Sequence, residues 1–404
     1  MARVLYISYT GLMDPLGESQ VLQYLLGLAG RHDITLLTFE RPANLAEHDR
    51  LVGLENRCRA AGIVWHRRVW HNRPGLPATL YDIVSGIRLG SRLSRQNRIG
   101  VLHCRSYIGS LIGLAVKRRT GAKLVFDMRG FWPDERVDGG IWRRDSWRYR
   151  VFKRIERQLF LHADHVVSLT RAGVREFQGF DYLAGRALPV SVVPTCTNLD
   201  LFQPTPVPRR GFTLGYVGST GSWYMFDMVA RAVARLFELV PDARFLVVNK
   251  GAHPQIRADL IAAGVDMSRV DLRSSPFDMV PGQIAQMDAG IFFIKPVWSK
   301  RASCPTRMGE FLACGKPCLA NDKVGDVAED FAQTGTGIAL SSLPDGQLDM
   351  RNLDRDILRL VSLASEPGIA DRCRAAAEQR FSLAAGTSTY DRIYDSLAPP
   401  AVPK

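Results

Sequence analysis

The chain has 404 residues, 46% of them hydrophobic and 23% charged, with a formal net charge of +13. At roughly 100–200 residues per domain this length fits two domains, and the composition excludes disordered and fibrous classes. No apolar run reaches the roughly 18–20 residues of a membrane-spanning helix; the strongest, such as Ala289–Ile294, has the length of a strand.

In chain order, Met1 to Ser8 holds a short apolar core with neither the length of a signal peptide's core nor its cleavage site. It predicts a first buried strand at Val4–Ser8 and a protein that stays in the cytoplasm. A loop punctuated by Gly11, Pro15 and Gly17 follows, and an apolar helix is expected from about Ser19. Strand-length runs then recur at Ile34–Phe39, Val101–His103, Lys123–Phe126 and His165–Ser168, with helix-period stretches between them. That alternation predicts stacked βαβ units and a parallel sheet. Residues 1–200 carry 30 Lys and Arg against 18 Asp and Glu, so almost all of the net charge lies in this half. Its densest part, Arg143–Arg157, interleaves basic residues with Trp147, Tyr149 and Phe152, a pattern that suits an anionic surface or an ordinary solvated helix face.

The second half repeats the plan with Thr213–Val217, Ala243–Val248, Val270–Leu272, Ala289–Phe293 and Cys318–Ala320. Between the halves lies Gln203–Gly211, whose three prolines make a stiff connector. The predicted fold is α/β, two doubly wound Rossmann-like domains facing across a cleft. Residues 1–206 form the first domain, 207–384 the second, and 385–404 a helix and tail, the helix packing back on the first domain. The seven cysteines form no Cys-x-x-Cys pair, so neither a zinc site nor a disulfide framework is expected.

Ligands of such sheets bind beyond the carboxyl ends of the strands, so the loops there are the candidate site. Lys295–Pro317 follows the strand at Ala289–Phe293, with Pro305 and Thr306 as a helix start and Gly315-Lys-Pro as its stop. The free N–H groups of that helix would stabilise an anion such as a diphosphate. Lys295, Lys300 and Arg301 add charge nearby, and Glu310 lies one turn in, placed to accept hydrogen bonds from sugar hydroxyls. The glycine-rich turn Gly215–Gly221 precedes a helix expected at Phe226–Val240. It also admits a dinucleotide-oxidoreductase reading, but Lys250 stands where such an enzyme carries an acidic residue. In the first half, Asp127, Arg129, Asp134, Glu135 and Arg136 crowd the segment after Lys123–Phe126, with His103 and Arg105 after the neighbouring strand. That density of ionisable groups marks a functional site or a salt-bridge cluster.

The segments DPLGESQV, FDMRGFWPDE and SCPTRMGEFLACGKP, and with them nearly the whole chain, resemble a glycosyltransferase of the GT-B fold in the retaining family 4 group. The resemblance implies an acceptor-binding first domain and a second domain that holds a nucleoside-diphosphate sugar. It implies no cofactor and no bound metal, positive groups and a helix terminus serving instead. On this likeness Lys300, Arg301, Asp127 and Arg129 are catalytic candidates. Gly218, Ser219, Thr220, Lys250, Lys295, Ser303, Cys304, Thr306, Arg307 and Glu310 are donor-binding candidates, and Gly17, Glu18, His103, Arg105 and Glu135 acceptor-binding ones. Three positions depart from the family pattern. Ala302 replaces the first glutamate of the signature pair, the turn at Gly218–Tyr224 lacks the usual Arg and Lys, and Arg129 stands where many relatives carry histidine.

The expected activity is transfer of a hexosyl or related sugar, with retention, to a lipid-linked or saccharide acceptor in surface polysaccharide or glycolipid synthesis. The expected partners are the nucleotide-sugar donor, that acceptor and an anionic membrane surface held by the basic first domain; nucleic acid is not expected. A sugar-nucleotide epimerase or hydrolase of the same fold, and a non-catalytic membrane-associated scaffold, are the alternatives.

Overall fold

The computed structural model describes residues 1–208 and 211–398. Arg209 and Arg210 of the proline-rich connector, and residues 399–404 of the expected tail, lie outside the described residues. The chain divides into two compact units, Met1–Val193 with the segment from Leu383 onward, and Pro194–Ser382.

The first unit is built on seven strands, β1 (Arg3–Ser8), β2 (Asp33–Glu40), β3 (Val64–Val69), β4 (Val101–Arg105), β5 (Lys123–Asp127), β6 (His165–Ser168) and β7 (Val190–Val192). They lie in the order β3-β2-β1-β4-β5-β6-β7 and every pairing is parallel. In a sheet covered on both faces a central strand is buried along its length, and all of β1 after Arg3 is buried. The edge strands β3 and β7 have no such apolar run, since VWHRRV is largely exposed, so the hydrophobic pattern did not announce them.

The helices that position the site are α1 (Gln23–Ala29), α2 (His48–Ala60), α3 (Gly75–Gln96), α4 (Ser106–Thr120), α5 (Trp132–Asp138) and α6 (Trp147–His162). A wider π-helical turn, Glu18–Leu22, leads into α1, and Ser146 caps α6 by accepting a bond from the Tyr149 N–H.

The second unit holds six strands, β8 (Thr213–Val217), β9 (Arg244–Val248), β10 (Val270–Arg273), β11 (Ala289–Ile291), β12 (Cys318–Asn321) and β13 (Gly337–Leu340), in the parallel order β10-β9-β8-β11-β12-β13. One face of this sheet is covered by α7 (Phe226–Leu239), through Val229, Val233 and Leu236. The other is covered by α8 (Thr306–Ala313) and α9 (Ile369–Phe381), through Met308, Phe311, Cys373 and Ala377. The α8 helix begins at Thr306 as the sequence predicts, and it ends at Cys314 with Gly315 at φ +74°, the left-handed stop that glycine adopts without strain.

The chain leaves the first unit at Val193–Pro194, upstream of the proline-rich stretch that the sequence offered as the boundary. The cause is packing that is distant in sequence. Phe202 is buried in the second core, the Thr195 hydroxyl donates to the Cys304 carbonyl at 3.0 Å, and Arg374 donates to the Phe202 and Leu199 carbonyls. The chain returns at Ser382–Leu383 as α10 (Leu383–Leu397), which packs on α1 in the first unit. Arg31 and His32 hold Asp391 of α10 at 2.6 and 2.8 Å.

Candidate active site

In each sheet the strand order reverses beside the first strand, between β1 and β4 and between β8 and β11. Loops that leave neighbouring strands there run in opposite directions and open a crevice, the usual ligand position of doubly wound sheets. Most of the residues singled out from the sequence lie at one of these two edges.

At the edge of the second sheet, Gly218 follows β8 at φ +105°, and its carbonyl accepts a bond from the Asn249 side chain at 2.8 Å. The Asn249 side-chain oxygen accepts from the Gly251 and Ala252 N–H groups, so one residue after β9 ties two loops together. The turn after Gly218 lies against the segment after β11: the Lys295 N–H donates to the Trp223 carbonyl at 3.0 Å and Met225 N–H to Phe293. Lys300 is buried, with its Nζ 3.8 Å from the centre of the Trp223 ring. The structure thus brings Gly218, Lys300 and the start of α8 to one edge, while Lys250, Lys295 and Arg301 occupy exposed positions.

Arg307, a donor-binding candidate in the sequence, packs inside the fold beneath the glycine turn. Its guanidinium is buried between two rings, 4.7 Å from Tyr216 and 4.1 Å from Tyr224, and its Nη2 donates to the Ser219 carbonyl at 3.2 Å. The Tyr216 hydroxyl donates to the same carbonyl, which fixes the direction of the Ser219–Thr220 peptide. Arg307 therefore shapes the glycine turn from beneath.

One helical turn on, Glu310 is buried. Loss of hydration raises its pKa to about 7 against the opposing pull of Arg307. A carboxyl at that value is half ionised near neutrality, and hydroxyl donors would complete its ionised form. Ser303 and Cys304, the pair expected to replace the missing glutamate, lie half-buried between the turn Trp298–Ala302 and α8. Burial pushes the Cys304 thiol up to about 12, so it is neutral.

In the first unit the expected groups form a buried knot. Asp127 is 1% exposed at the end of β5, with His103 Nε2 at 3.5 Å, Arg129 Nη1 at 3.7 Å and Arg105 Nη1 at 4.0 Å. Burial alone would raise the Asp127 pKa, but the charge of Arg129 and the hydrogen bond and charge of His103 outweigh it and hold the carboxyl below its ordinary value. Burial outweighs the opposing pull of Asp127 on His103 and lowers its pKa. The cluster reaches the C-terminal helix: the Tyr394 hydroxyl lies 2.6 Å from His103 Nδ1, and the Tyr390 hydroxyl donates to Asp127 at 3.4 Å. Asp127 and His103 thus hold α10 on the sheet, an arrangement that the sequence left open as a salt-bridge cluster. Arg129 stands at φ +60°, an unusual conformation for a side chain of its size, and Arg105 and Arg129 each keep one buried N–H group with no hydrogen-bond acceptor.

The remaining acceptor candidates are distributed differently from the expectation. Glu18 does not stand open to a ligand, because its carboxylate is paired with Arg50 and Arg57 of α2. Gly17 is buried where any Cβ would collide with the Gly11 carbonyl, so it serves the packing of the loop on itself. Glu135 is half-buried in α5. Its neighbour Asp134 accepts from the Tyr149 hydroxyl and Lys153 of α6, a structural tie.

Glu40 was not singled out from the sequence. It is fully buried at the end of β2 and accepts the Leu12 and Met13 N–H groups at 2.7 and 3.1 Å, which pins the Gly11 loop. Buried Asp82, 2.6 Å from the partly exposed ring of His71, fixes the segment after β3 in the same way, and the Tyr9 hydroxyl donates to the same carboxylate. A carboxylate that closes an otherwise apolar strand was the only signal for Glu40.

Comparison with known proteins agrees with this architecture. Residues 17–196 match the glycosyl transferase 4-like domain. A D-inositol 3-phosphate glycosyltransferase of Thermobispora bispora is 24% identical over 209 residues, 47% of this chain and 48% of that protein. The chain spans about half the length of that curated relative. Among solved structures, sucrose-phosphate synthase from Thermosynechococcus elongatus superposes with a TM-score of 0.73 at 13% identity, over 98% of this chain and 99% of the other. Anabaena HepE, solved with UDP-glucose, gives 0.69 at 15% identity, over 98% and 100%. At such identities the likeness fixes the fold, which is GT-B.

Proposed function

From a GT-B chain of the group 1 type with a glycosyl transferase 4-like domain, we propose a glycosyltransferase that moves a hexosyl or related sugar from a nucleoside diphosphate to an acceptor hydroxyl. The observation that carries this reading is the edge of the second sheet, where Gly218, Lys300 and the N-terminus of α8 converge above buried Arg307 and Glu310. HepE, a neighbour of the same fold, binds UDP-glucose, which makes a uridine nucleotide the first donor to try.

In the proposed reaction the bond between the anomeric carbon and the diphosphate oxygen breaks, and the acceptor oxygen bonds to that carbon on the same face. The acceptor proton passes to the departing phosphate oxygen, so no protein base is needed. Lys300, Arg301 and the first N–H groups of α8 oppose the charge that grows on the diphosphate, in place of a metal. Glu310 accepts from the nucleotide ribose, and the Ser219–Thr220 backbone, fixed by Arg307, closes over the phosphates. Arg105 and Arg129, each with an unsatisfied N–H group, are the acceptor-side donors.

The acceptor is proposed to be lipid-linked or a saccharide, in surface polysaccharide or glycolipid synthesis on the cytoplasmic side. Basic α6, whose Trp147 is 57% exposed, is proposed to rest on an anionic leaflet. Among the described residues no helix is long and apolar enough to cross a membrane. The experiment is a screen of nucleoside-diphosphate sugars for transfer to lipid and saccharide acceptors, with product stereochemistry read by NMR. Donor turnover that is equal with and without acceptor would replace transfer by hydrolysis or epimerisation.

A further inference from the structure

Helices α3 and α4 pack side by side on one face of the first sheet, and α4 also packs against α6. At the C-terminal ends of α3 and α4 they enclose an open groove of about 440 Å³, lined by Arg88, Arg92, Arg95 and Arg119 together with Ser91 and Gln96. No carboxylate lines this groove, and among the described residues none of the four arginines makes an ion pair with one. Arg119 donates to its own helix at the Ala115 carbonyl, and the Ser91 hydroxyl is buried with no hydrogen-bond partner. Four uncompensated guanidinium groups around one concave surface repel one another, and an oxyanion relieves that repulsion while offering several acceptors to their planar forks.

Toward its N-terminus the same helix presents large apolar side chains to solvent. Leu76, Leu80, Tyr81 and Val84 are 44%, 53%, 63% and 44% exposed. Spacings of four and five residues place them on one side of α3, and continuing that spacing leads through Arg88 and Arg92 into the groove. An exposed apolar stripe that runs into a basic one is the chemistry of a surface that meets acyl chains with one part and phosphate headgroups with the other.

We infer that the α3 face and its arginine groove bind an anionic phospholipid, the headgroup phosphate in the groove and the Leu76–Val84 stripe in the acyl boundary. The arginine groove is distinct from the sugar-transfer site, since it lies where α3 approaches the start of β4, at the amino ends of the strands, whereas the apolar stripe begins on the carboxyl side, where Asp82 meets Tyr9. Basic α6 also packs on α4, so the two basic helices share that neighbour in the first unit.

The test uses the full chain in co-sedimentation with vesicles of phosphatidylcholine alone and of phosphatidylcholine mixed with phosphatidylglycerol. Preference for the mixed vesicles is expected. The exposed double variant Arg88→Ala, Arg92→Ala should weaken it about 25-fold, about fivefold for each arginine, the equivalent of about 1 kcal/mol each. Leu80→Asp should weaken the binding that survives high salt, when charge attraction is screened. Melting temperature and turnover with a water-soluble acceptor should stay those of the parent in all of these. Binding by the double variant equal to the parent's, while Arg148→Ala, Arg154→Ala on α6 abolishes it, would overturn the inference. So would stabilisation by inorganic phosphate without vesicle binding, which makes the groove a site for a soluble anion, or self-association that Leu80→Asp abolishes. Binding is read without turnover, so a negative result here leaves the transfer reading as it stands.

Discussion

A Cβ built on Gly218 would lie 2.7 Å from Arg307 Nη2, so the glycine after β8 and the arginine of α8 are fitted to each other across the edge of the sheet. Gly218→Ala should displace the guanidinium and strain a backbone already at φ +105°. The expected cost is about 1–3 kcal/mol of stability, read by chemical denaturation, with nucleotide binding weakened more than tenfold in calorimetry. Unchanged binding in a folded Gly218→Ala protein would show that this turn does not meet the donor.

Glu310 should make stability depend on pH. Its folded pKa of about 7 lies above the ordinary 4.5, so its contribution is present below about pH 4.5 and is lost as pH rises through 7. Glu310→Gln removes that loss. The variant should match the parent at pH 4.5 and exceed it at pH 8 by on the order of 3 kcal/mol, with donor binding reduced. Equal stability of the two proteins at pH 8 would mean that Glu310 is solvated in the folded state.

The knot under α10 gives a stability prediction separate from catalysis. Tyr394→Phe strips the partner from His103 Nδ1 and should cost about 1–3 kcal/mol. Asp127→Ala leaves Arg105 and Arg129 buried without their shared counter-charge and should cost about 3–5 kcal/mol. Urea denaturation gives both values, and losses below 0.5 kcal/mol would mean that Asp127 does not hold this knot together and would return it to the catalytic candidates.

Much of this could be seen in the sequence, for local reasons. The central strands β1, β5 and β8 are continuous apolar runs, and the α8 helix carries its start at Pro305-Thr306 and its stop at Gly315. What was missed depends on contacts distant in sequence. The rings that hold Arg307 come from Tyr216 and Tyr224, the partner of Asp127 comes from Tyr390, and the unit crossing is set by Thr195 and Phe202. The edge strands β3 and β7 carry no buried face to mark them.

Metal independence is testable in the same preparation. In the proposed reaction Lys300, Arg301 and the α8 N-terminus oppose the diphosphate charge, so turnover should persist in EDTA. The pair Lys300→Ala, Arg301→Ala should lower kcat far more than it raises the acceptor KM. Activity abolished by EDTA and restored by a divalent cation would assign that charge to a metal instead.

The most direct measurement is calorimetric titration of a panel of nucleoside diphosphates and their sugars into the parent protein and into Glu310→Ala and Lys300→Ala, Arg301→Ala. At least one nucleotide should bind the parent. Glu310→Ala should weaken that binding roughly ten- to a hundredfold, the worth of hydrogen bonds to a charged group, and the double variant should lose the part that the diphosphate contributes. A panel in which nothing binds, or a nucleotide that binds all three proteins alike, would contradict the assignment of this edge of the second sheet as the donor site.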